Sequence, residues 1–365
     1  MAIISELIAH LENLAPRSMQ ESYDNSGLLI GNKNAAITGV LVSLDCVESV
    51  VDEAIAKGCN LIVAHHPLIF KGLKRITGSG YVERTVEKCI KNDIAVYAIH
   101  TNFDNYHQGV NAEFGRRLGL NNLKVLAPKS EVLYKLIVFC PENEETQLNE
   151  ALFNAGAGHI GNYSQCNFST EGMGSFQPEV GANPKVGEIG SRTILPEKRL
   201  EYLVSEHRLT ATIQAMRGAL SYEEIAHDLI KLSNTNQQEG SGMLGELPEA
   251  ISAMDFLNHV KDVFGCGAIR YTNAENKQVK KVAFCGGSGS FLLPKAIASG
   301  ADVFVTADFK YHEFFDADGQ IIIADIGHYE SEQFTSNLLV DILTKKFTTF
   351  AVRLSELNTN PINYL

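Results

Sequence analysis

No apolar run in this 365-residue chain approaches the ~18 residues that a membrane-spanning helix requires. The opening segment does not read as a signal peptide either. Ile3, Ile4, Leu7, Ile8, Leu11 and Leu14 alternate with Glu6 and Glu12, the periodicity of a domain helix rather than a basic segment followed by an apolar one. Paired cysteines are absent. The seven cysteines (46, 59, 89, 140, 166, 266 and 285) are scattered singly with no C-x-x-C, as expected of reduced thiols packed as small hydrophobes in a cytoplasmic protein. Basic charge is in deficit: 31 Lys and Arg against 43 Asp and Glu leave a net charge of -12. Such a surface repels phosphate backbones, so nucleic acid is disfavoured as a main partner. Neither a Ser-His-Asp nor a Cys-His pairing stands at persuasive positions.

What is present is an ordinary globular composition, 45% hydrophobic and 20% charged, in a chain long enough for two or three domains. Short β-branched runs at 40–44, 61–64, 94–99, 282–285, 303–306 and 321–324 have the length of strands buried on both faces. Helical patterns at 47–57, 81–92, 292–299 and 331–345 alternate with them, which predicts an α/β layered domain. The middle differs. Strand-like segments at 134–140, 161–170, 187–195, 199–204 and 225–232 and helical ones at 144–155 and 207–218 approximate a ferredoxin-like β-α-β-β-α-β order with one extra strand. Polar residues 233–241 read as a linker back. The expected organisation is an α/β domain in two halves, 1–128 and 239–365, split by an inserted α+β domain, 129–238.

The chemistry sits where strands end. Residues 61–64 run into His65-His66-Pro67, residues 94–99 into His100 and Asp104, and residues 321–324 into Asp325, Gly327 and His328, with Glu332 four residues on. In α/β sheets the carboxyl edge is where ligands bind. His328 and Glu332 share a helix face if residue 329 onward is helical. Imidazole with carboxylate suits zinc, manganese, iron or cobalt rather than magnesium or calcium. Five such ligands exceed the needs of one tetrahedral zinc with an open position, so two divalent metal ions, bridged by a carboxylate such as Glu332, fit better. His65-His66 alone would more often be a satisfied turn; the convergence of three strand ends is what raises the metal reading.

The stretches Tyr23-Asp24-Asn25-Ser26-Gly27-Leu28, Ser43-Leu44-Asp45, His65-His66-Pro67-Leu68-Ile69, His100-Thr101-Asn102-Phe103-Asp104 and Gly327-His328-Tyr329-Glu330-Ser331-Glu332 together resemble the NIF-three-like (NGG-one-interacting-factor-three-like) family, whose members are often labelled GTP cyclohydrolase I type 2 homologues or dinuclear metal centre proteins. The resemblance implies that His65, His66, Asp104, His328 and Glu332 are metal ligands, with His100 behind them. It also implies that the insert, through 174–178 and 181–187, is a PII/CutA-like module, and that the chain forms a homo-oligomer, a toroidal hexamer of dimers. Tyr23 departs from the family, which often has Trp there.

Secondary candidates remain. Gly286, Gly287, Ser288 and Gly289 follow a strand and precede a helical pattern, where exposed amides could receive an anion; a packing turn explains them equally well, since the Lys of a P-loop is lacking. Asp45, His100 and His312 are the candidate proton carriers. Two functions follow as expectations. One is a metal-dependent hydrolase, GTP cyclohydrolase-like or phosphoesterase-like, acting on a small nucleotide or phosphorylated ligand, with zinc favoured. The other is a non-catalytic metal-binding regulatory or scaffold assembly built on the insert.

Overall fold

Four apolar residues with no polar interruption, Leu61–Ala64, cannot face water on either side, and every one of them is buried. Gly39–Ser43, Ala95–Ala98, Val303–Ala307 and Ile322–Asp325 are likewise buried at every position. In the computed structural model, which describes residues 2–365, these runs form the centres of two sheets. The chain divides into two compact units, 1–128 with 238–365, and 129–237.

In the first unit, one sheet has the order Gly27–Ile30, Ala95–Ala98, Leu61–Ala64, Gly39–Ser43, Ala351–Leu354. All its pairs are parallel except the antiparallel Gly27–Ile30 edge. The other sheet runs Arg270–Tyr271, Ile322–Asp325, Val303–Ala307, Gln278–Ser288, Thr235–Ser252, Asn121–Ser130. Its three central strands are parallel, and antiparallel strands flank them. Helices cover these sheets with apolar faces, as in Ile4–Leu14, which buries Ile4, Leu7 and Leu11 at helical spacing. Ala253–Phe264 is bounded by its own chemistry: the Ser252 hydroxyl accepts from the Asp255 amide at 3.1 Å, and Gly265 closes it in the left-handed region.

Two expectations need correction here. The polar stretch 233–241 is not a linker, because the long strand Thr235–Ser252 begins inside it. Its polar groups are paired: the Gly240 amide donates to Asn105 O at 3.0 Å and the Ser241 hydroxyl to Asn105 Oδ1 at 2.9 Å. At Gly240 a Cβ would lie 2.2 Å from Ala127 O, so only glycine permits that approach. The helix read over 331–345 is in fact two, His328–Glu332 and Thr335–Lys346.

In the second unit, the elements run Leu133–Cys140, Glu145–Asn154, Asn167–Phe176, Thr193–Ser205, Leu209–Ala219, His227–Leu232, the β-α-β-β-α-β order with no extra strand. The segments read at 187–195 and 199–204 fuse into the single strand Thr193–Ser205, with Pro196 opposite Met173 at its start. The sheet is antiparallel, in the order Asn167–Phe176, Thr193–Ser205, Leu133–Cys140, His227–Leu232. Leu136, Val138, Leu148, Leu152, Leu200, Tyr202 and Met216 form its own core. No helix among the described residues is long and apolar enough to cross a membrane.

Candidate metal centre

The end of Leu61–Ala64 is held to its neighbour: the His65 amide donates to Ser43 O at 3.2 Å and the His66 amide to Leu44 O at 2.9 Å. Past Ala95–Ala98 the chain turns at once into the short helix Thr101–Asp104, whose first turn closes on His100 O. Past Ile322–Asp325, Gly327 takes φ +94°, and the helix His328–Glu332 starts on the next residue. That turn suits glycine, and a Cβ there would also meet the Glu330 carboxylate at 2.2 Å. One helical turn then places His328 and Glu332 on the same side, Nε2 to Oε2 3.1 Å.

Four imidazoles meet here, and each is oriented through Nδ1. His65 Nδ1 donates to Ile99 O at 2.8 Å, His66 Nδ1 bonds Asp45 at 2.7 Å, His100 Nδ1 bonds Asp24 at 2.7 Å, and His328 Nδ1 bonds Asp308 at 2.6 Å. Tying Nδ1 to a carbonyl or carboxylate fixes the ring and directs Nε2 elsewhere, the arrangement found behind metal-ligating histidines. His66 Nε2 lies 2.9 Å from Glu332 Oε2 and 3.4 Å from His328 Nε2. His65 Nε2 lies 3.5 Å from Asp104 Oδ1 and 3.9 Å from Glu332 Oε2. Both His65 Nε2 and Asp104 Oδ1 are shut off from solvent with no hydrogen-bond partner. Buried polar atoms are normally paired, so two orphans facing each other across 3.5 Å call for a missing partner.

Three overlapping triads have ligand atoms close enough to hold a metal ion: His65, His66 and His100; His66, His328 and Glu332; His65, Asp104 and Glu332. The electrostatics describe a site balanced by protons. Burial, then the charge of Glu332, pushes Asp104 up to about 8. Burial opposes charge on His66, but its bonds to Asp45 and Glu332 win and raise it to about 9. The Glu332 carboxylate, then Asp308, raises His328 to about 11. Despite its burial, Glu332 is itself held well below the usual carboxylate range by His328, His65 and His66. A cavity of about 170 Å³ opens beside this cluster, lined by His100, Asp104, His328 and Glu332 together with Tyr23, Asn111 and Phe291.

The structure thus brings His65, His66, Asp104, His328 and Glu332 together, with His100 at their side. It places the other candidates differently. Asp45 lies behind the cluster, accepting from the Thr359 hydroxyl and holding the His66 ring through Nδ1. His312 is exposed on the 3-10 turn Tyr311–Ala317, its ring against Tyr311 and Phe315, and does not line the cavity. The glycine-rich segment is no open amide cradle, because the strand Gln278–Ser288 continues into it. The Gly286 amide donates to Asn111 Oδ1 and the Gly287 amide to Ser331 Oγ, both at 2.9 Å. Gly287 (φ +62°) instead makes room for a carboxylate: a Cβ would lie 2.3 Å from Glu332 Oε1. The Cβ of a residue at Gly289 would meet Thr306 Oγ1 at 2.3 Å. Asp24 and Asp308, which orient His100 and His328, carry no signal of that role in the sequence.

Fold and site together define an α/β protein with a histidine–carboxylate cluster able to hold metal at the carboxyl ends of its strands. The chain belongs to the Duf34/NIF3 (NGG1p interacting factor 3) family, whose model matches residues 2–361. It is 40% identical over 365 residues to the "GTP cyclohydrolase 1 type 2 homolog" of Halalkalibacterium halodurans, covering 98% of each chain. To the protein of the same name from Bacillus subtilis it is 40% identical over 370 residues, covering 99% of this chain and 98% of that one. Among solved structures, a Bacillus cereus protein related to NIF3 superposes with a TM-score of 0.88 at 38% identity, covering 100% of this chain and 99% of the other.

Proposed function

We propose that the chain is a metal-dependent hydrolase of a small nucleotide or phosphorylated substrate, holding two divalent ions that share Glu332. His66 and His328 would complete one ligand set with Glu332, and His65 and Asp104 the other; nitrogen with carboxylate oxygen favours zinc, with manganese, iron or cobalt as alternatives. The observation that carries this reading is the facing pair of orphaned atoms, His65 Nε2 and Asp104 Oδ1. When bound, such a pair of ions polarises a carbonyl or phosphoryl oxygen and acidifies water. The label borne by the relatives points toward a purine nucleotide as substrate.

The protein's own groups supply the rest. His100 lines the cavity and its Nδ1 rests on Asp24, a buried carboxylate that also accepts from the Thr101 amide at 3.0 Å and from the Thr101 and Ser26 hydroxyls. These bonds, with the His100 imidazole foremost, outweigh burial and hold Asp24 far below the ordinary carboxylate range, so it stays anionic. A histidine so anchored can take a proton and return it at one position, which makes His100 the proton carrier of the site.

The test is reconstitution of the full chain with zinc or manganese, elemental analysis, and a turnover screen against nucleotides and phosphoesters with His65→Ala as control. Two equivalents retained and a hydrolysis lost in the variant are expected. A wild type that retains no metal after reconstitution would sink the reading.

A further inference from the structure

A second cavity, of about 170 Å³, lies where the parallel strands Gly39–Ser43 and Ala351–Leu354 end and the helix Thr335–Lys346 begins. In an α/β sheet the carboxyl edge of parallel strands is the usual place for a ligand. At ~30 Å³ per water its volume is that of roughly five or six waters, room for one pentose-sized molecule.

Two side chains mark it as more than a packing gap. Ser43 closes the strand and Ser336 lies in the first turn of the helix; they are 2% and 4% exposed, and both line the cavity. Neither Oγ has a hydrogen-bond partner among the described residues. Buried hydroxyls are normally paired, so two of them, on separate elements and on one cavity, call for a shared partner.

The remaining walls restrict what that partner is. No charged side chain lines the cavity among the described residues. The Ser355 hydroxyl donates to Glu53 and the Thr359 hydroxyl to Asp45, so both turn only lone pairs toward a ligand. Carboxylates behind those hydroxyls oppose an anion, and a cation would find no counter-charge in the wall. Ser43, Ser336 and Asn337 can donate as well as accept. Leu354 and Leu357, 38% and 41% exposed, add apolar surface. An uncharged molecule with several hydroxyls and an apolar face meets all of these conditions.

We propose that this cavity is a binding site for a small uncharged polyhydroxyl molecule of monosaccharide size, hydrogen-bonded by Ser43 and Ser336. The site is separate from the metal cavity and rests on no step of the hydrolase reading. It does touch the support of the metal centre: Thr359 holds Asp45, and Asp45 holds His66 Nδ1 at 2.7 Å.

The experiment is saturation-transfer difference NMR of D-xylose on the metal-loaded full chain, with tetrahydropyran, the same ring without hydroxyls, as the comparison. D-xylose is expected to bind with a Kd of about 1 mM and tetrahydropyran at least about tenfold more weakly. Removing an unpaired hydroxyl spares the fold, so Ser43→Ala and Ser336→Ala should keep the Tm of wild type while each weakening D-xylose about fivefold. Sodium sulfate should leave D-xylose binding unchanged. No transfer to D-xylose at about ten times the expected Kd, or equal binding of the two rings, would overturn the proposal, and this arm needs no variant. Wild-type affinity in either serine variant would overturn it too, because that hydroxyl would then be served by water. Competition by sulfate would do the same by making the cavity an anion site.

Discussion

The two units of this chain bury carboxylates in opposite ways. In 129–237 the buried acid is Glu144, and its oxygens accept from Lys185 Nζ at 2.8 Å, from the Ser221 amide at 3.0 Å and from the Ser221 hydroxyl. Nothing more is needed there. In the other unit Glu332 is just as buried, but its partners are three imidazoles, with Asp104 close by and two polar atoms unmatched. The histidines divide the same way: His159, His207 and His227 of the smaller unit converge on nothing, whereas His65, His66, His100 and His328 of the larger unit share a centre. A buried charge that is fully paired reports on the fold. One left wanting a cation reports on function.

The sharpest way to break that contrast is to remove the shared carboxylate. Glu332→Ala should lose metal at both proposed positions, lowering affinity by more than about 100-fold, since one ligand is removed where support groups alone are worth 10–100-fold. Retention of wild-type metal content by inductively coupled plasma analysis would refute Glu332 as a ligand. Asp308→Asn should act more gently. It leaves every ligand in place but weakens the grip on His328 Nδ1, so an affinity loss of about 10- to 100-fold is expected in a competitive chelator titration.

pH supplies the next contrast. Asp104, raised to about 8, binds a proton in the folded state that the unfolded chain releases near pH 4, so the metal-free fold loses stability as pH rises through that window. His66 has the same sign: its contribution is complete below its unfolded value of about 6.5 and is lost as pH climbs through about 9. Metal displaces these protons, and its binding tightens over the same range. The rise in Tm on adding manganese should therefore grow between pH 6 and 8.5. A rise of constant size across that range would show that the protons on Asp104 and His66 do not compete with the ion.

Which parts of this were legible in the sequence follows from distance along the chain. The central strands were readable because burial on both faces leaves only apolar residues, and the cluster was readable because His65, His66, His100, Asp104, His328 and Glu332 stand next to those strands. The orienting carboxylates were not. Asp24 reaches His100 across 76 positions and Asp308 reaches His328 across 20, and nothing local marks either. The glycine-rich segment misled for a related reason. Its spacing imitates an anion-binding turn, but its amides are engaged by Asn111 and Ser331, 175 and 44 positions away, and its missing Cβ atoms accommodate Glu332 and Thr306. Polarity misled at 233–241, where the Gly240 amide is paired with the backbone carbonyl of Asn105 and the Ser241 hydroxyl with its side-chain oxygen.

The smallest expected effect lies in the smaller unit and tests the other half of the comparison. Glu144→Gln keeps the size of the side chain but removes the charge that Lys185 and Ser221 address. One amide oxygen can still accept; the NH2 group would face the Lys185 ammonium, donor against donor. The pair is partly open to solvent, the Lys185 side chain being 48% exposed, so screening holds the loss to about 1 kcal/mol. Chemical denaturation should register that loss. Metal content and the pH dependence of the manganese-induced Tm rise should be those of wild type, because the Glu144 cluster completes itself within 129–237 and shares no residue with the histidine site. A change in metal affinity in Glu144→Gln would mean that the two buried carboxylates are not independent and would end the distinction drawn between them.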